Sequence, residues 1–209
     1  PGEIGRFIHQ LGLYVPDRKD ELENVSNLER KNYKSPFFFG LVAFEREFVS
    51  LEKYVKARLS NLTQSQIQIM QDLAFAYYYG QQSISSQLFA SPLGIPLSRV
   101  VDLSNHLPEE TRELILEVPG NKWRISHQLI AEEILIQTIA SKGSDRRIWW
   151  QNLPEFAISF INFCRGPLPE PTSEGLELAR RIFVYRDNTD LLGTEQGGDR
   201  GGNPLFAQF

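Results

Sequence analysis

The chain has 209 residues, 41% of them hydrophobic, with a formal net charge of −4 and a pI near 5.5. That is enough apolar material for one large core or two small ones, and the acidic balance argues against a general nucleic-acid binder, which carries a basic footprint. No apolar run approaches the roughly 18 residues of a membrane span, and Pro1-Gly2-Glu3-Ile4 lacks the basic lead of a signal peptide.

A single cysteine, Cys164, excludes an internal disulfide and a multi-cysteine zinc site. Its setting, Phe160-Ile161-Asn162-Phe163-Cys164, predicts a buried core thiol, because free cysteine packs as a small hydrophobe. A cytoplasmic location without membrane contact is the matching expectation. The absence of a starting methionine suggests a piece cut from a longer polypeptide.

Residues 1–60 read as short helices. Ile4, Phe7, Ile8 and Leu11 recur at helical spacing and predict one apolar face, ending near Val15 because Pro16 biases its predecessor away from the helical region. Asp17 reads as the N-cap of a charge-rich helix running towards Arg30. Ser35-Pro36 offers the next start, with proline in the first turn, where its missing N–H is not needed. Phe37 to Leu59 then reads as nearly continuous helix.

Residues 61–141 change in character. Thr63 and Gln66 form a capping pattern for a helix containing Ile67, Ile69, Met70, Leu73, Ala74 and Tyr77 and closed at Gly80. Ser83 to Phe89 reads as a second short helix, Ser98 to Leu103 as a further turn, and Leu107 to Arg112 as a third helix start, its acids near the positive end of the dipole. The best strand signal comes next: Leu114–Val118 and Lys122–Ser126 flank the turn-former Pro119-Gly120-Asn121. A long helix through His127, Ile130, Ala131, Ile134, Leu135 and Thr138 completes the series. Three helices, a hairpin and a helix is the order of a winged helix.

In residues 142–209, Ile148 to Ile161 predicts a buried helix or helix pair. Its aromatic content also leaves room for the start of a helical repeat, although no period is visible. Gly166 to Pro171 is a proline-rich linker, and Thr172 or Ser173 caps a last helix whose apolar residues are Leu176, Ala179, Ile182 and Phe183. The Gly-rich stretch after Asp187 reads as a loop, and Asn203 to Phe209 as the start of another helix. The expected fold is mainly α: a small helical domain (1–60), a winged helix with a short β-hairpin (61–141), then C-terminal helices (142–209).

Catalytic signatures are lacking. No G-x-x-x-x-G-K-[ST] phosphate loop, H-E-x-x-H or G-x-S-x-G occurs, and none of His9, His106 and His127 has a second histidine or cysteine at i+3 or i+4. Glu109-Glu110 and Glu132-Glu133 read as solvated helix residues. Between 61 and 141 the bases are Arg99, Arg112, Lys122 and Arg124, against eight acids, and Pro108 to Glu117, in the recognition-helix position, carries more acid than base. Phosphate contacts supply most of the affinity for DNA, so a nucleic-acid-binding regulator is the weaker alternative. A plain helical interaction scaffold is another.

Two short segments resemble the STAND class of signalling ATPases, in the region that follows the nucleotide-binding domain. Lys34-Ser35-Pro36-Phe37-Phe38-Phe39-Gly40-Leu41 resembles the family's G-x-P segment, and Ile125-Ser126-His127-Gln128-Leu129 its M-H-D segment, with Gln128 in place of the acid. The resemblance extends over the first two regions as element order. It implies that Pro36 packs against the adenine end of a bound nucleotide and that His127 reaches the β-phosphate of ADP. It further implies ADP or ATP with Mg in the parent protein, none being held by this fragment alone. The implied partners are the nucleotide-binding domain of the same polypeptide, a C-terminal sensor region and, on activation, further copies in a homo-oligomer. The implied role is signal transduction in immune or antiviral defence, the fragment itself not being an enzyme. Read locally, Pro36 is a helix-start proline and His127 a helix N-terminal histidine satisfied by nearby backbone.

Overall fold

The computed structural model describes residues 3–26, 35–45, 48–139, 149, 151–166 and 172–184. Over these residues the chain is mainly helical with a small three-stranded antiparallel sheet. It divides into two compact units, Pro1–Ala57 and Arg58–Phe209. The expected helix beyond Ser26, the proline-rich stretch at 167–171, the Gly-rich stretch after Asp187 and the segment from Asn203 to Phe209 lie outside the described residues.

In the first unit, α1 (Glu3–Tyr14) stops at Val15, whose backbone leaves the helical region ahead of Pro16. Asp17 is not the expected N-cap. It sits inside a 3-10 turn, Pro16–Arg18, which leads into α2 (Lys19–Ser26). α3 (Pro36–Phe44) begins as expected, the Ser35 hydroxyl accepting from the Phe38 N–H at 3.3 Å with proline in the first turn.

The continuous helix expected from Phe37 to Leu59 is broken. Glu45 is extended, and α4 (Leu51–Leu59) restarts with the Ser50 hydroxyl accepting from the Lys53 N–H at 3.2 Å. The break lets Phe48 turn edge-on to Phe38, with ring centroids 5.5 Å apart. Arg18 secures the turn: its Nε donates to the Val42 carbonyl at 3.1 Å and its Nη2 to the Phe48 carbonyl at 3.4 Å. A guanidinium thereby donates to a carbonyl in the last turn of α3, the negative end of its dipole.

In the second unit, α5 (Gln64–Gly80) opens on a complete capping box between Thr63 and Gln66 and closes with Gln81 in the left-handed region. The short helix expected over Ser83–Phe89 is instead a two-residue strand, β1 (Ile84–Ser85), followed by a 3-10 turn, Ser86–Phe89. Pairing with the hairpin overrides the local helical reading: Ile84 lies opposite Trp123 and Ser85 opposite Lys122. Ser98 begins no helix either. The turn forms later, at Leu103–Asn105, where the Asp102 carboxylate accepts from the Ser104 N–H at 2.9 Å.

α6 is a single turn, Glu109–Arg112. Then β2 (Ile115–Val118) and β3 (Lys122–Ile125) form the expected hairpin, giving the sheet order β1-β3-β2. Gly120 (φ 88°) and Asn121 (φ 54°) both take left-handed backbone in its turn, the conformation those two residue types tolerate best. α7 (Gln128–Ile139), α8 (Leu153–Arg165) and α9 (Ser173–Phe183) complete the unit.

The second core gathers around Phe75 of α5, which is fully buried. Its ring lies 5.2 Å from Phe156 and 4.9 Å from Phe160 of α8, and 6.0 Å from Phe183 of α9. α9 meets α8 through Gly175, where an added Cβ would overlap the Cys164 carbonyl, and meets α5 at Gly80, where one would lie 2.8 Å from Ile182. The packed face of α9 is therefore Gly175, Leu178 and Ile182. Leu176, one of the apolar residues named for this helix, is 50% exposed.

Two substitutions test this packing by urea denaturation. Phe75→Ala is expected to lower unfolding free energy by about 3–5 kcal/mol, the usual loss for a buried aromatic. Gly175→Ala is expected to lower it by about 1–3 kcal/mol through overpacking, despite alanine's better helix propensity.

Candidate functional site

β3 delivers the chain directly to the N-terminus of α7. The Ser126 N–H continues the hairpin ladder to the Leu114 carbonyl at 2.9 Å, and the next residue, His127, starts the helix. Its carbonyl accepts from the Ala131 N–H at 3.0 Å, and its ring Nδ1 accepts from the Leu129 N–H at 3.2 Å. The imidazole thus acts as an N-cap side chain, taking one of the helix's unpaired donors.

Burial lowers the His127 pKa below its ordinary 6.5, so the ring is neutral at neutral pH. With Nδ1 accepting, the ring hydrogen is assigned to Nε2. The arrangement can donate one N–H from Nε2 at the positive end of a twelve-residue helix dipole. Close by in sequence, Trp123 Nε1 and Ser126 Oγ are buried with no hydrogen-bond partner among the described residues.

Pro36 occupies the first turn of α3 with its ring exposed, behind the Ser35 cap. It belongs to the first unit and His127 to the second. His9 is exposed, and the carbonyl of His106 accepts from Gln66 Nε2 at 2.6 Å. Among the described residues no three histidine, cysteine or acidic side chains converge as a metal set, and no helix is long and apolar enough to cross a membrane.

The carboxylates separate into two kinds. Glu109 and Glu110 are exposed in the first turn of α6. Glu133, expected to be solvated, is buried on α7 and accepts from Gln137 Nε2 at 2.7 Å. Asp72 is the group that sequence reasoning missed, since charge counting treats it only as one acid among eight. It is 1% exposed on α5; Oδ1 accepts from Gln68 Nε2 at 3.2 Å, and Oδ2 has no partner among the described residues. Burial pushes its carboxyl up to about 8, so it is largely protonated at neutral pH.

The available signal was the run Ile69-Met70-Gln71-Asp72-Leu73-Ala74-Phe75-Ala76, all of it buried, which leaves Asp72 no outward face. Cys164 is buried as expected. Its thiol is pushed up to about 12 by burial and then by the charge of Asp72, which makes it a poor nucleophile. No family model, curated protein or solved structure matches the chain.

His127→Ala is expected to lower stability by about 1 kcal/mol at neutral pH by removing the cap, whereas His127→Asn, a good N-cap residue, is expected to retain most of it. The wild-type ring's contribution is complete above pH 6.5. It is lost as pH falls through the depressed folded-state value, because protonation removes the Nδ1 acceptor. Denaturation curves of the wild type and both variants at several pH values check both statements.

Proposed function

We propose that this chain is a regulatory portion of a STAND-like signalling ATPase, with a winged helix over 61–141 that holds a nucleotide-bound closed state and relays signals from the C-terminal side. The single observation carrying this reading is the imidazole of His127 at the start of α7, directly after the hairpin. That is the position at which the resembled motif places a phosphate-facing histidine.

The chemistry suits the role. A neutral ring whose Nδ1 accepts from backbone carries its hydrogen on the other nitrogen, and the helix N-terminus adds a favourable field for an anion. A donor of this kind, bonded to a charged phosphate, contributes about 1.5–3 kcal/mol. It biases a two-state equilibrium only by the difference between the states in which the contact exists and is absent. Pro36, exposed at the start of α3, supplies an apolar ring suited to an adenine face. The nucleotide itself, ADP or ATP with Mg, supplies the β-phosphate charge and is held chiefly by a nucleotide-binding domain in the parent polypeptide. Immune or antiviral signalling in the cytoplasm, with homo-oligomers on activation, completes the reading.

The weak acidic turn α6, with Glu109 and Glu110 exposed, supports ranking nucleic-acid binding lower. A protein-interaction scaffold has its own supporting observation. Gln87 Nε2 clamps the Leu97 and Arg99 carbonyls at 3.0 and 3.1 Å while Leu97 and Val100 stay exposed, Val100 at 82%.

His127→Asn in the full-length polypeptide separates these, because it keeps the helix cap and removes the imidazole donor. On the switch reading ADP dissociation speeds up by roughly ten- to a hundredfold and basal signalling rises. If ADP release is unchanged while Val100→Asp abolishes signalling, the scaffold reading takes its place.

A further inference from the structure

α8 is packed on one side only. Leu153, Phe156, Ala157, Phe160 and Cys164 are buried along its inner face. The opposite face carries Glu155, Ile158, Asn162 and Arg165, all exposed. Their spacing of three, four and three residues keeps them on one stripe of the helix, with Ile161 at its flank. Ile158 is 57% exposed and Ile161 46%, so two large apolar side chains face water between a carboxylate at one end and a guanidinium at the other. We infer that this face is where two copies of the chain meet, α8 against α8, antiparallel about a two-fold axis level with Phe160.

The charge pattern selects a second copy as the occupant. Glu155 and Arg165 lie five residues either side of Phe160, and Ile158 and Asn162 two either side, so the stripe maps onto itself when the helix is reversed. In the antiparallel pair, Glu155 of each copy faces Arg165 of the other. That gives two ion pairs about 15 Å apart at the helical rise of 1.5 Å per residue, with the isoleucines enclosed between them. Within one copy neither charge has an ion-pair partner among the described residues. A parallel pair would set like charges against each other at both ends.

The helix dipole favours an acid in the first turn and a base in the last, which suits Glu155 and Arg165 in a single copy. It gives no reason for exposed isoleucines between them, whereas a two-fold contact uses all four groups and closes on itself. Asn162 in the contact favours one register at some cost in affinity. One helix against another buries less than about 1,200 Å² in total, the range of weak, reversible association. Such pairing needs no nucleotide and stands apart from the switch at His127.

Sedimentation velocity of the intact chain between about 10 and 500 μM, at low and high salt, reads the association directly. The expected result is a monomer–dimer equilibrium within that range that weakens as salt rises. Ile158→Asp is expected to abolish it. Glu155→Arg and Arg165→Glu are each expected to weaken it roughly tenfold or more, because both ends then meet like charge. An equimolar mixture of these two variants is expected to recover the dimer, since every cationic end then meets an anionic one.

A monomer throughout the range overturns the proposal. A dimer that survives Ile158→Asp also overturns it, because assembly would then use another face. Charge variants that associate like the wild type, or whose mixture fails to pair, do the same. Methyl resonances of the wild-type chain decide the matter even if a variant fails to fold. Those of Ile158 and Ile161 are expected to shift with protein concentration, and concentration-dependent shifts confined to other residues contradict the α8 contact.

Discussion

The second unit depends on the complete burial of α5. From Ile69 to Ala76 every side chain of that helix is enclosed, which requires neighbours on all sides rather than on a single stripe. The neighbours are supplied by α7, through the Gln71 bond to the Thr138 carbonyl at 3.0 Å; by β3, through Arg124 over Tyr77; and by α8 and α9, through the ring cluster on Phe75. A helix in that position organises its surroundings, because every element that leaves it exposes apolar surface at about 25 cal/mol per Å². The close approaches at Gly80 and Gly175 follow from the same demand: two helices reach a crowded neighbour only where no Cβ stands between.

Local chemistry was legible in the sequence where it decides the structure alone. The Thr63–Gln66 box, the Ser35-Pro36 start, the stop before Pro16 and the Pro119-Gly120-Asn121 turn all act within four residues, and each forms as read. What escaped was set at longer range. β1 has no strand signal of its own and exists through its pairing with Trp123 and Lys122. The break between α3 and α4 was masked by apolar residues continuing on both sides, though Ser50 was a cap in plain view. On α9 the apolar count pointed to Leu176, whereas proximity to the Cys164 carbonyl selects the face bearing Gly175.

The candidate site was partly legible for the same reason. His127 could be placed at a helix start because a hairpin and an apolar period bracket it, and its cap bond to Leu129 is a local matter. Asp72 and Glu133 were hidden by counting charges without asking which face they occupy; both lie on helices with more than one buried side. These buried groups also set opposing pH responses. Acid removes the His127 acceptor, whereas the contribution of the protonated Asp72 carboxyl is full below pH 3.8 and is lost progressively as pH rises towards about 8.

Native-state hydrogen exchange resolved by residue tests the organising role of α5 most directly. If that helix is the centre on which the others rest, the amides of Ile69 to Ala76 are the slowest in the second unit and exchange only through its global unfolding. Faster exchange there than in α7 or β3 would contradict that role and make α5 an attachment to a core centred elsewhere.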